Sequence, residues 1–189
     1  MNAQLQALLD DLNAARERLH RLVAAVPEDR WTQRPAPECW SPAECVAHLN
    51  LTSVAFIPGL REAIAEARAN GGGPAPARYR HDFFGWLIWR SQKPGGGMKV
   101  KTPAAFIPES SVPRAEQIAE FDRLQDEQME LVRQGGGLPL SRMKIASPFA
   151  PKMKYSVYSA LALLPTHQHR HLLQAERAWE TISGAAGAR

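Results

Sequence analysis

Three of the chain's six histidines fall within five residues, in Pro165-Thr166-His167-Gln168-His169-Arg170-His171-Leu172-Leu173-Gln174. Which of them can act together depends on the backbone beneath. In a strand all three would line one face. In a helix His167 and His171 share a face, and His169 stands about 200° away from His167. The surroundings predict a helix. Tyr155 to Ile182 is rich in Ala, Leu, Gln, Glu and Arg, has no glycine, and is too long for a strand. The chemistry on offer is therefore H-x-x-x-H, two imidazoles able to hold one metal ion once a third ligand joins them. His48 is the best candidate. It stands two turns into another predicted helix, in an apolar setting where a buried ring needs a partner for each nitrogen. The alternative is a packed core histidine.

The remaining chemistry-bearing residues have structural readings. Ser41-Pro42-Ala43-Glu44 reads as a capping box with proline at the first helical position, which commits Glu44 to the cap. Trp40 and Cys45 are spaced as the two halves of a hydrophobic staple. Cys39 and Cys45, the only cysteines, make no disulfide framework. His20 is expected at a helix end or surface, and His81 in solvent.

The chain that must position these groups has 189 residues, 44% hydrophobic and 22% charged, as expected of one globular domain spanning 1–189. No run approaches the roughly 18–20 apolar residues of a membrane span, and no secretory leader is evident, so a cytoplasmic location is expected. The net charge is +4. From Gly71 to Pro108, Arg78, Arg80, Arg90, Lys93, Lys99 and Lys101 face only Asp82, a local +5. Such a diffuse excess suits attraction of a small anion better than nucleic acid, which wants a denser basic face.

Apolar periodicity predicts four long helices. The first covers 3–26 and ends at Pro27. The second covers 41–69, broken or bent near Pro58-Gly59, with Val46, Leu49, Val54, Phe56, Ile57, Leu60 and Ile64 inward. The third runs from Ser110-Ser111-Val112-Pro113 to Gly135-Gly136-Gly137, its inner stripe marked by Ala115, Ile118, Ala119, Leu124, Leu131 and Val132. The fourth runs from Tyr155 to Ser183, kinked before His167 by Pro165 and stopped by Gly184, with a flexible tail over 184–189. Residues 70–112 form an irregular crossover. Gly71-Gly72-Gly73-Pro74 and Pro94-Gly95-Gly96-Gly97 bracket Phe83–Trp89, a short apolar helix expected across the bundle ends, at a dimer contact, or as a lid. Some 40 residues can return the chain to the far end, so that the flanking helices run parallel.

Taken together, these stretches resemble the DinB/YfiT-like superfamily of metal-dependent enzymes. Cys39-Trp40-Ser41-Pro42-Ala43-Glu44-Cys45-Val46-Ala47-His48-Leu49 is similar to that family's W-S-x-x-E-x-x-x-H-L entry to its second helix. Lys101-Thr102-Pro103 through Pro108 is similar to crossover segments of some members. Lys144 to Gln174 is similar to the lead into the last helix, ending H-x-x-x-H-x-x-Q. The resemblance implies an all-α four-helix bundle in up-down-down-up order, often dimeric, with a divalent metal held by His48, His167 and His171. His169 matches no ligand position. Among members it implies thiol S-transferases, a thiol-dependent isomerase and proteins described as hydrolases, with low-molecular-weight thiols as cosubstrates.

A three-histidine site for Zn or Ni leaves a position for water or substrate. Gln174, three residues past His171, is expected to hydrogen-bond a ligand side chain, with Glu44 as a second supporting candidate. Glu176 and Glu180 point away, so no carboxylate presents itself as general base. The expected chemistry is thus a transfer or hydrolysis by a metal-bound thiolate or hydroxide on a small molecule, without nucleic-acid or membrane partners. The alternative is a non-catalytic, metal-stabilised bundle that binds a partner.

Overall fold

The computed structural model describes residues 2–93, 102–108 and 112–187. It is mostly helical. α1 spans Ala3–Ala25, α2 Pro42–Ala69, α3 Phe83–Gln92, α4 Arg114–Gln134 and α5 Val157–Gly187. Short 3-10 turns lie at Glu28–Arg30 and Ala104–Phe106. Two short strands, β1 (Lys144–Ala146) and β2 (Lys154–Ser156), form an antiparallel hairpin pairing Ile145 with Tyr155. The crossover residues Pro94–Gly97, Lys99 and Lys101, and the helix-start pair Ser110-Ser111, lie outside the described residues. Among the described residues, no helix is long and apolar enough to cross a membrane.

The four long helices pack pairwise, and polar contacts show which ends meet. Gln4 at the start of α1 donates to the Tyr158 hydroxyl at the start of α5 (3.1 Å), and Arg18 in the second half of α1 pairs with Glu176 (2.6 Å) in the second half of α5. Asn50 bonds the Gln117 carbonyl (2.9 Å), Arg61 bonds Glu127 (2.7 Å) and Arg68 bonds the Gln134 carbonyl (3.0 Å), so α2 and α4 meet in step. Between α1 and α4 the order reverses: Gln125 reaches the Leu12 carbonyl (2.7 Å) and Arg114 that of Val26 (2.8 Å).

The start of α2 is built as its sequence requires. The Ser41 hydroxyl accepts from the Glu44 amide (3.2 Å) and the Glu44 carboxylate accepts from the Ser41 amide (2.8 Å), with Pro42 first in the helix. Arg34 donates to the same carboxylate from Nε (2.9 and 3.0 Å) and from Nη2. Neither Pro58 nor Pro165 ends its helix. Pro58 is exposed, on the outer side of α2, where the carbonyl it leaves unpaired can bond water.

Several expectations are corrected. Val54 is 50% exposed and not part of the inner face of α2. Tyr155 belongs to β2, and α5 starts at Val157. Gly184 does not stop α5, because it lacks the positive φ of a helix-terminating glycine. On α4, Ala115 and Ala119 are exposed and Ile118 half-buried, whereas Gln117, Phe121, Leu124, Gln125 and Gln128 are buried. The physical reason is an amide network. Gln125 donates to Gln168 (2.9 Å), Gln168 donates to Gln125 and Gln128 (2.8 and 3.2 Å), and Gln128 donates to Ser53 (3.0 Å). Satisfied in this way, glutamine is as much an interior residue as leucine.

Trp31 anchors the loop before α2. It is 1% exposed, donates from Nε1 to Gln117 (3.0 Å), and lies under the Arg114 guanidinium. Trp31→Ala is expected to cost about 3–5 kcal/mol in urea unfolding at neutral pH. A loss below about 1 kcal/mol would contradict this placement of the ring.

Candidate metal centre

Two helices supply the site. His48 comes from the second turn of α2, and His167 and His171 from successive turns of α5. The i, i+4 spacing sets the two α5 rings edge to face, with centroids 4.5 Å apart, and the His48 ring stands 5.2 Å from His167 and 4.5 Å from His171. One ring nitrogen from each of the three lies within 4.8 Å of the others. All three side chains are buried, at 3%, 9% and 9% exposure. His169 faces away, among Arg18, Asp11 and Glu176. His20 pairs with Asp122 at the surface (3.0 Å).

Each ring is held from behind. His48 Nδ1 donates to the Phe106 carbonyl (2.8 Å), His167 Nδ1 to Gln92 Oε1 (3.2 Å) and His171 Nδ1 to Gln174 Oε1 (3.0 Å). A backbone carbonyl can only accept, so the His48 proton sits on Nδ1 and its Nε2 presents a lone pair. The same holds for the other two rings with the glutamine amides as oriented. The His48 and His167 Nε2 atoms are 3.1 Å apart.

Electrostatics keeps the rings neutral. Burial pushes His48 below its ordinary value, against the opposing Phe106 bond. His167 is held well below, by burial first and then by His171, His48 and Arg170. His171 is pushed down to about 3, by burial and then by His48 and Arg170. Three neutral nitrogen donors with converging lone pairs repel one another unless a cation sits between them. Metal–nitrogen bonds of about 2.0–2.1 Å at tetrahedral angles separate donors by about 3.3 Å, close to the His48–His167 distance. The residues present therefore fit a divalent ion.

The sequence model of the DinB superfamily matches residues 11–175. The chain belongs to the DinB superfamily. Neither the curated proteins nor the solved structures compared with it give a match. Membership and the buried three-histidine cluster together are compatible with a metal-dependent enzyme.

Within this DinB-superfamily chain, Gln174 Oε1 accepts from His171 Nδ1 (3.0 Å). Glu44 makes no such contact: its carboxylate is taken by Ser41 and Arg34. Burial alone would raise its pKa, but hydrogen bonds from Arg34 and Ser41 outweigh that and hold it below the usual carboxylate range. Cys45 is buried and its thiol pushed far up by burial, which makes it inert. Trp40 does more than staple a helix. Its ring lies 5.0 Å from His48 and 5.8 Å from His171, closing one side of the cluster. Sequence reasoning missed Gln92 and the Phe106 carbonyl. A backbone carbonyl carries no sequence signal, and Gln92 sits in a crossover with no periodic partner. His81 is also corrected: it is half-buried, bonded to Ser159 (3.1 Å) and stacked on Trp89.

Proposed function

We propose that this DinB-superfamily protein is a metal-dependent enzyme in which His48, His167 and His171 hold one Zn or Ni ion. Its reaction is thiol S-transfer or hydrolysis on a small electrophile. The observation that carries the reading is that one ring nitrogen of each of the three buried histidines lies within 4.8 Å of the others, with each ring tethered through Nδ1. The end-to-end contacts of the long helices support an up-down-down-up four-helix bundle forming one domain, with 70–112 as its crossover.

A divalent ion held there supplies Lewis-acid chemistry, lowering the pKa of a thiol or water that reaches it. The chain's own residues set the conditions. Phe106, Gln92 and Gln174 fix the ring tautomers, and Trp40 walls the cluster from water. Glu44 is locked in its cap and Cys45 is protonated, so neither serves as base or nucleophile. The nucleophile must then arrive from outside, and a low-molecular-weight thiol fits that role. Exposed Arg78, Arg80, Arg90 and Lys93, the last over the Trp89 ring, give the crossover a positive face suited to an anionic thiol or substrate, not to nucleic acid.

The test compares chelator-stripped protein with protein reloaded with Zn or Ni. Each form is assayed with glutathione-type thiols on alkyl halide and epoxide electrophiles, and with activated esters. Turnover that returns with metal is expected. A second reading, a non-catalytic bundle that binds a partner or a second copy of the chain, is favoured by α3. There Phe83, Phe84, Trp86 and Leu87 are 69%, 50%, 43% and 43% exposed. Retained metal without turnover across that panel would select it.

A further inference from the structure

The crossover is fastened to α5 at both ends of α3. At the start, Asp82 accepts from the Ser156 amide and the Ser159 hydroxyl (both 3.1 Å) and pairs with Lys144 (2.5 Å). Gly85 then lets the helix approach so closely that a Cβ there would lie 2.3 Å from Ser159. At the far end, Arg170 donates to the Ser91 carbonyl (2.8 Å) and His167 donates to Gln92 (3.2 Å). The next described crossover element, Ala104–Phe106, contributes the carbonyl that holds His48 (2.8 Å). Two of the three tethers behind the histidines thus come from the crossover, which the helices alone cannot replace.

We propose that α3 and the Ala104–Phe106 turn form a clamp whose docking is coupled to metal loading, with Gln92 as the positioning residue for His167. This rests on the metal-binding reading above and adds a regulatory element to it. An acceptor behind a ligating imidazole fixes the ring and raises its basicity. An undocked crossover removes that acceptor from His167 and from His48 together. Linkage is reciprocal, so an ion that favours the tethered rings must favour the docked crossover by the same factor. Entry to the buried cluster is then expected by transient release of α3.

The test uses the full chain, wild type and with Gln92→Leu or Gln92→Glu, titrated with Zn against a competing chelator and with Co(II) for visible absorption. Leucine keeps the volume and removes the acceptor, whereas glutamate keeps the acceptor and strengthens it. Gln92→Leu is expected to weaken Zn binding about 10–100-fold and to alter the Co(II) bands. Gln92→Glu is expected to bind as tightly as wild type or tighter, with wild-type-like bands. Zn should slow amide hydrogen exchange across residues 83–92 and 104–106 in wild type, and less so in Gln92→Leu. A wild-type chain that takes up no metal overturns the metal reading and the clamp together. A wild-type chain that binds Zn, with Gln92→Leu equal to it in affinity and exchange protection, overturns the clamp alone.

Discussion

Acidifying the metal-free protein from pH 7 to pH 5 is expected to remove about 2–4 kcal/mol of unfolding free energy. The sign follows from the direction of the shifts. His48, His167 and His171 all have folded-state pKa values below the ordinary 6.5. Above pH 6.5 both states are neutral and the rings contribute nothing pH-dependent. Below it the unfolded chain takes up protons that the folded chain refuses, and stability falls until the folded pKa values are reached. Each ring that stays neutral costs about 1.4 kcal/mol per pH unit in that window. The sum is reduced because the His48 and His167 Nε2 atoms, 3.1 Å apart, can share the first proton in one hydrogen bond. Urea unfolding at pH 7, 6 and 5 in the presence of a chelator measures the slope. The triple variant His48→Gln, His167→Gln, His171→Gln should flatten it. His81 and His169, also shifted down by burial, remain in that variant and set the residual slope. Equal slopes in the two proteins would contradict the burial of a neutral cluster.

Removing a single ring is expected to abolish metal retention. His48→Ala and His171→Ala should each fall from about one equivalent per chain to below roughly a tenth after dialysis, because two imidazoles do not complete the ligand set of such a site. His169→Ala and His81→Ala should retain the full equivalent. His169 sits among Arg18, Asp11 and Glu176, and His81 is bonded to Ser159, so neither faces the cluster. Elemental analysis of the five proteins decides it. Equal and negligible metal in all five, or loss in the His169 variant as large as in the His48 variant, would overturn the assignment.

How far the chain could be read without coordinates depends on the kind of signal each feature carries. The helices and the start of α2 rest on local periodicity and cap chemistry, so Ser41, Pro42 and Glu44 were legible from their order alone. The histidine cluster was legible because i, i+4 spacing is a property of the helix, and because His48 was an imidazole in an apolar stretch that needed partners. The β1–β2 hairpin was not legible. Strands of three residues carry too little alternation, and Tyr155 reads equally well as a helix start. The inner face of α4 is hidden from apolar periodicity because Gln117, Gln125 and Gln128 are polar by type and become interior only through one another and through Trp31, Ser53 and Gln168. Gln92 and the Phe106 carbonyl illustrate the same limit at the site. Their roles exist only after the crossover has folded back over α5.

X-ray absorption spectroscopy of the protein loaded with one equivalent of Zn bears most directly on the cluster's chemistry. The account predicts a first shell of nitrogen or oxygen donors at about 2.0–2.1 Å, with the outer-shell scattering of three imidazoles. A shell with sulfur donors at about 2.3 Å, or with imidazole scattering from fewer than two rings, would contradict it.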